Sequence, residues 1–397
     1  MTVAPRVAWA AAAAGVALGA AVAWHIPQQL VDEMHYGPQV QAFMEGRFTL
    51  DPAITMLPTY HAIVAAIARM FGGYSDRLAR AVSLAGSVLV FPLALRLADA
   101  PDRGVRALQC LFVPLLFPYL FLIYTDAWSL AAFGALVLCT VRRRFAAAAL
   151  AGAFGTLLRQ DFIVWVVMAW AMAVWRDGIT PPSVREAASN ALRAWPFALV
   201  VAGFAVFVAW NGAVAMGDRS RHEHGVNVTN VYLMLAYGWF AFLPFNAKVA
   251  PRLVGMLRRP WCALAVGGAF AAYMATFSNP HEYNRLLTHY FIHNAALAML
   301  ADSWALRAVA FVPIAWMALA AVSACVDRPQ LRVPLAFATA AAALHPLVEP
   351  RYYLPAFFLF ILWRPAATPR AEIALTGAYL ATSLALLQAV ASTLLFP

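Results

Sequence analysis

The chain has 397 residues, 63% of them hydrophobic and only 12% charged, with a formal net charge of +10. Soluble chains run near half apolar and a quarter charged, and one water-soluble core cannot enclose this much extra apolar surface. Disordered, collagen-like, disulfide-rich and soluble dinucleotide-binding classes are excluded; the composition is that of a multi-pass membrane protein, with room for about 12 or 13 spans.

Residues 7–24 read as a retained first span, because no convincing cleavage site precedes a soluble domain. Residues 25–78 then form a first outer loop. Inside it, a short amphipathic stretch starts at Asp32 and Glu33 and ends near Gly46. The apolar run 58–72 is too short to span and is expected to lie as a helix on the outer membrane surface. Further spans are predicted at 79–97, 107–123, 127–141, 145–158, 162–175, 194–211, 229–245, 261–277, 304–325, 333–346, 352–363 and 373–394. Turn-formers such as Thr180-Pro181-Pro182 and Ser278-Asn279-Pro280 separate them. No repeat of roughly 20–50 residues and no long linker divides the chain, so 1–397 is expected to be one integral-membrane domain.

The positive balance is not a polyanion signal, and no nucleic-acid partner is expected. Lys248 is the single lysine, and the arginines sit alone or in short clusters between apolar runs. That is the pattern of cytoplasmic connections. Arg142–Arg144 and Arg258–Arg259 place two connections inside, and the N-terminus beside Arg6 follows. Reading 58–72 as a span would invert every later loop. In this orientation all nine histidines fall on or near the outer face. Asp32, Glu33, Asp51, Asp126, Asp161, Glu223, Glu282 and Glu349 join them there. A pump more often carries ionisable residues along a mid-membrane path, so chemistry is expected at the outer face.

The candidate residues follow in chain order. Asp32 and Glu33 stand where a helix dipole would hold a carboxylate charged; one could accept a proton while the other orients it. A plain N-cap with a first-turn acid is the alternative. Asp126, in YTDAWS, lies at the outer end of a span. In LLRQDFIVW, Arg159, Gln160 and Asp161 interrupt apolar sequence. They form either a structural ion pair or, since an outer Arg opposes the charge trend, an anion site. GDRSRHEHG (217–225) carries His222 and Glu223, NPHEYNRLLTHYF (279–291) carries Arg285, and HPLVEPRYYLP (345–355) carries Glu349 and Arg351. His289 with His293, and His222 with His224, resemble zinc fragments, but HExxH, paired CxxC and an acidic cage are lacking. No metal and no required cofactor are expected. Cys110, Cys139, Cys262 and Cys325 lie in or beside apolar runs without disulfide or zinc spacing. Asn227-Val228-Thr229 fits a glycosylation sequon.

Taken together these segments carry a resemblance. VDEMHYGPQVQAFMEGRFTLDPAITMLP resembles the first lumenal loop of the dolichyl-phosphate-glucose α-1,2-glucosyltransferase family, in which an Asp-Glu, an aromatic-His pair, a Pro-Gln, a Glu-Gly and an Asp-Pro-x-Ile-Thr follow in this order. FPYLFLIYTDAWS is similar to the family's Tyr-Thr-(Glu/Asp)-x-x-Ser, and LLRQDFIVW to its Phe-Arg-Gln-Thr-Asn-Ile-x-Trp. GDRSRHEH is similar to Gly-Asp-Lys-x-x-His, and VEPRYYLP to Leu-Glu-x-Arg-Tyr-x-x-x-Pro. The matches run in order from residue 31 to 355. Departures are Asp161 and Phe162 in place of Thr-Asn, and EYNRLLTHY, a loose version of Asp-Asn-Arg-His-Tyr; both bear on the acceptor.

The resemblance implies the GT-C superfamily fold, all-α and polytopic, with juxtamembrane helices in the first outer loop. It implies an inverting glycosyltransferase that moves a hexose, glucose first, from a polyprenyl- or dolichyl-phosphate donor to a free or lipid-linked glycan. The linkage would be α, and α-1,2 by family analogy. Asp32 is then the expected general base with Glu33 second, and Arg159, Arg351 and Arg285 the ligands of the donor phosphate. His35, Asp51, Asp126, Gln160, Asp161, His222, Glu223 and Glu349 are expected sugar or acceptor ligands. Trp128 and Trp165 would stack on sugar or prenyl, or anchor at the membrane interface among its lipids. The Arg- and Ala-rich, Lys-poor composition points to a bacterial relative with a periplasmic site at the inner membrane; the alternative is the endoplasmic reticulum with a lumenal site. The competing class is a sugar-lipid transporter or flippase, against which stands the lack of an internal hydropathy repeat. A structural subunit with a decayed site is the third.

Overall fold

The computed structural model describes residues 4–99, 102–175, 182–217 and 225–397, and every apolar segment predicted to span carries a helix. Among the described residues the only β pairing is an isolated bridge between Phe291 and Phe396. Among the described residues, four helices are long and apolar enough to cross a membrane: Pro5–Ala23, Asp76–Leu97, Trp304–Asp327 and Pro369–Ala391. Val184–Arg193 and Pro196–Asn211, bent by 74°, make a fifth if taken as one broken span. The protein is an all-α polytopic membrane protein.

Shorter apolar helices alternate with these. Asp126–Val141 has 16 residues and Phe145–Leu158 has 14, so they rise about 24 and 21 Å and fall short of a hydrocarbon core of about 30 Å. Prolines explain where predicted spans divide. The segment 107–123 becomes Arg103–Phe112 and a 3-10 turn, Phe117–Leu120, on either side of Pro114. The segment 229–245 becomes Thr229–Ala241 and Leu243–Leu257, the latter entered through Pro244. A proline lacks the N–H that would continue the helical ladder.

Burial separates core from lipid. Leu354–Trp363 is apolar on every side, and all its side chains from Ala356 onward are buried. It packs against Arg103–Phe112, Val90–Leu97, Asp126–Val141 and Arg332–Ala343. Pro196–Asn211 is equally apolar, yet Phe197 is its only buried residue and Trp210 is 81% exposed. A helix apolar all round and open on its outside belongs against lipid. At the end of the core helix, Arg106 donates to the carbonyls of Ile361 (2.7 Å) and Arg364 (3.2 Å), while Arg364 pairs with Glu372 at 2.7 Å. These buried charges tie the last span to the centre.

In the first outer loop, Glu33–Met44 packs on Thr59–Met70, which packs on Asp76–Ser87. The Thr59–Met70 helix buries Tyr60, His61, Val64, Ala65 and Ala68. His61 lies between Tyr36 (4.9 Å) and Tyr60 (5.5 Å), and both its ring nitrogens are buried without a hydrogen bond. Burial pushes its pKa from 6.5 down to about 3. The neutral ring therefore contributes its full stability above 6.5, and that contribution is lost as pH falls toward about 3. His61→Phe should raise stability at pH 7 by about 1–2 kcal/mol, since it removes unsatisfied buried nitrogens. It should also flatten this acid response in melts of the detergent-solubilised protein. An unchanged response would assign it to another group.

Candidate active site

The site begins at a strained turn. Val31 has φ 51°, a left-handed conformation costly for a β-branched residue. Glu33 holds the turn from behind. Its carboxylate accepts from the N–H groups of Leu30 (3.0 Å) and Ile123 (2.8 Å). Arg80 grips it through Nε (3.0 Å) and Nη2 (2.7 Å) and also donates to the carbonyl of Gln28 (2.8 Å). Glu33 is fully buried. With its oxygens taken by four donors it has nothing left for a substrate proton, so the expectation of a second base is corrected to a positioning role. Glu33→Gln would leave the Arg80 charge buried and unpaired; a loss of about 3–5 kcal/mol is expected, read as a lowered melting temperature. A variant as stable as the wild type would show that the pair is not what secures the turn.

Asp32 precedes the Glu33–Met44 helix, and its N–H donates to the Tyr124 hydroxyl at 3.1 Å. One carboxylate oxygen, Oδ2, accepts from Arg351 Nη1 at 2.9 Å. The same Nη1 lies 3.4 Å from Asp126 Oδ2. The other oxygen of Asp126 takes Arg159 Nη1 at 2.7 Å, and Arg159 reaches both oxygens of Asp161 at 3.3 Å. Asp161 lies 3.7 Å from His345 Nε2. Glu349 sits 3.4 Å from Arg351 Nε and 3.9 Å from His293 Nε2. Helix ends supply the positions: Asp126 opens Asp126–Val141, and Arg159 follows the last residue of Phe145–Leu158. Each charge therefore meets the helix pole that favours it.

Four carboxylates thus share two guanidiniums. Burial would lower the Arg351 pKa, but Glu349, Asp126 and Asp32 outweigh it and hold the group charged. Burial would raise the Asp161 carboxyl, but Arg159 and then His345 keep it below its ordinary value. Burial pushes the His345 imidazole down, opposed by Asp161 and reinforced by Arg159. Asp32 combines a side chain 31% exposed with an oxygen, Oδ1, that no described group engages. Arg351 Nη2 likewise makes no hydrogen bond among the described residues.

The network forms the polar end of a cavity of about 620 Å³, lined by Asp126, Arg159, Gln160, Asp161, His345 and Arg351. Asp32 is not itself part of the lining and connects to it through Arg351. Most of the remaining wall is apolar, with Ile163, Val164, Trp165, Leu347 and, from the lipid-facing helix, Phe204, though Thr55, Ser129 and His281 also reach it.

Several expected ligands lie elsewhere. His35 pairs with Asp51 at 3.3 Å, both partly exposed and away from the cavity. Asp51 also accepts from the N–H of Ala53 (2.8 Å) and closes a turn. Arg285 is exposed and does not line the cavity, so geometry removes it from the phosphate set. Gln160 lines the wall, but its amide is spent on the carbonyl of Thr55 (3.1 Å) and the N–H of Leu57 (3.3 Å), pinning the first loop to the site. Trp128 packs on Tyr60 and donates to the carbonyl of Ser83 at 2.9 Å, so it is a packing residue; Trp165 faces the cavity. His222 and Glu223 lie outside the described residues. The sequon reading of Asn227 is overturned: the side chain is buried and donates to the carbonyl of Pro346 at 2.9 Å. Among the described residues no three His, Cys, Asp or Glu side chains are grouped to hold a metal ion.

Sequence reasoning missed the residues that hold the loop carrying His345 and Glu349. Asn230 donates to the carbonyls of His345 (2.8 Å) and Leu347 (3.1 Å). Asn284 bonds Val348 in both directions at 2.8 Å and donates to Asn294 at 3.0 Å. A signal was present: Asn230 and Asn294 are amides inside apolar runs, where an unpaired polar group is costly.

Comparison with known sequences matches residues 26–181 and 179–362 to the DIE2/ALG10 family. The chain is similar to a protein of Arabidopsis thaliana named Dol-P-Glc:Glc(2)Man(9)GlcNAc(2)-PP-Dol alpha-1,2-glucosyltransferase, 22% identical over 85% of this chain and 86% of that protein. Proteins of the same name from Rattus norvegicus and Homo sapiens are each 25% identical over 66% of this chain and 68% of theirs. No solved structure matches. These relatives come from a plant and two mammals and lend no support to a bacterial source; their names give the carrier reading none either. With most of its length matched, this chain belongs to the DIE2/ALG10 family and is a glycosyltransferase of the membrane.

Proposed function

We propose that the protein transfers glucose, with inversion, from a polyprenyl-phosphate donor, dolichyl in the relatives' names, to a lipid-linked glycan at the non-cytoplasmic face. The observation that carries this reading is the pairing of a part-exposed, half-free carboxylate with a half-free guanidinium, the latter at the polar end of a largely apolar cavity. Asp32 Oδ1 takes the proton of the acceptor hydroxyl as that oxygen attacks the anomeric carbon. The bond from that carbon to the phosphate oxygen breaks, and polyprenyl phosphate leaves with the electron pair. A β-linked donor thereby becomes an α-linked product.

Arg351 serves both ends of the step. Its Nη1 orients Asp32, and Nη2 is free to meet the charge that develops on the leaving phosphate. Arg159, fully engaged by Asp126 and Asp161, fixes the wall rather than binding phosphate first. The prenyl tail would run along Ile163, Val164, Trp165 and Phe204 toward lipid. The test uses purified protein with radiolabelled polyprenyl-phosphate glucose and a panel of lipid-linked and free glycans. Label is expected on a lipid-linked acceptor. Transfer from a soluble nucleotide sugar but not from the lipid donor would overturn the reading.

A further inference from the structure

The helices that carry Asp126, Arg159 and Asp161 at one end surround a second cavity at the other. Asp126–Val141, Phe145–Leu158 and Ile163–Val174 end around a space of about 410 Å³. A 16-residue helix separates it from Asp126 by about 24 Å. Arg96, Arg142 and Arg143 line it, together with Leu138, Met172, Trp175 and Trp363.

The basic groups of this cavity are not neutralised from within the described chain. None of the three guanidiniums has an ion pair or hydrogen bond among the described residues, and the acid beside them, Asp99, lies 3.6 Å from Arg328 instead. Arg143 occupies a left-handed position (φ 56°) just beyond a helix end, where glycine ordinarily sits. An arginine retained there places its head group at the cavity, 5.4 Å above the Phe145 ring.

We propose that this cavity binds an anionic phospholipid of the leaflet opposite the transfer site. Phosphate oxygens lie among Arg96, Arg142 and Arg143, and the first tail carbons rest on Leu138, Met172 and Trp363. The apolar wall selects a lipid over free phosphate. The level where the helices end is that of a head group, and the Arg-rich connections identify the cytoplasmic leaflet, where anionic lipids attract basic clusters. This inference does not depend on which sugar is transferred.

Native mass spectrometry of the full-length protein, titrated with phosphatidylglycerol or phosphatidylcholine, tests it. One retained phosphatidylglycerol per chain is expected, preferred over phosphatidylcholine by on the order of 100-fold for three basic contacts. R96Q/R142Q/R143Q, three substitutions at exposed positions, should lose that preference. R258Q/R259Q, an exposed arginine pair away from the cavity, should keep it. Equal loss in that control would mean general surface charge and overturn the proposal. So would wild-type binding in the triple variant, or displacement of the lipid by millimolar inorganic phosphate, which would reassign the site to a free anion.

Discussion

Asp32→Asn is expected to reduce glucose transfer by roughly 10²–10⁴-fold while leaving the fold intact. The substitution is nearly isosteric. An amide oxygen still accepts from Arg351 Nη1, and the backbone bond from Asp32 N–H to Tyr124 is untouched. What disappears is the oxygen that can take a proton. The loss should therefore fall on kcat, with donor KM close to wild type, because Arg351 remains to hold the phosphate. Purified variant and wild type compared over donor concentration, beside their melting curves, make the check. Wild-type-like turnover would remove Asp32 from the base role; a variant that melts early would be uninformative about chemistry, and Asp32→Glu would then separate the two effects.

Arg351 carries the second large effect. Its guanidinium stands within 2.9 Å of Asp32, 3.4 Å of Asp126 and 3.4 Å of Glu349. Arg351→Gln leaves three carboxylates crowded and poorly compensated, an expected loss of about 3–5 kcal/mol of stability. Transfer should fall by about 10²–10³-fold, the cost of removing a donor aimed at developing charge. Arg351→Lys distinguishes the two roles. A lysine restores one positive charge but is a point donor and cannot meet several carboxylates and a phosphate at once. Stability should therefore recover in part while transfer stays low. Full activity in the lysine variant would show that charge alone suffices and that the fork geometry has no part in the reaction.

Acid sensitivity should likewise divide by location. The His61 contribution lies in the packing of the first loop and vanishes in His61→Phe. The His345 imidazole belongs to the site. Since burial lowers its pKa, it is neutral at pH 7, and its stabilising contribution declines as pH falls below its ordinary value of 6.5.

The first loop shows most directly where local information stops. Asp32 and Glu33 are adjacent carboxylates at one helix start, indistinguishable by composition, spacing or dipole. Only the fold turns Glu33 inward to Arg80 and Asp32 outward to Arg351, a partner 319 residues away in the chain. The same holds for Arg159. An arginine between apolar runs is equally an anion site or a structural pair until Asp126 and Asp161 are seen to close on it from both sides. Asn227 fits a surface sequon by its neighbours and is excluded from modification by a carbonyl of Pro346, 119 residues on. Trp128 and Trp165 differ only in which of them the cavity reaches.

Taken alone, the sequence settled the membrane class and the apolar segments that carry helices, but not the breaks inside 107–123 and 229–245. Class and helices both follow from hydrogen bonding and apolar content within a few turns of chain. Tertiary structure alone decided which carboxylate is free, which is buried and which arginine keeps an unspent N–H. A charged group's role is set by the counterions and the cavity brought to it from distant segments, and no window of neighbouring residues contains them.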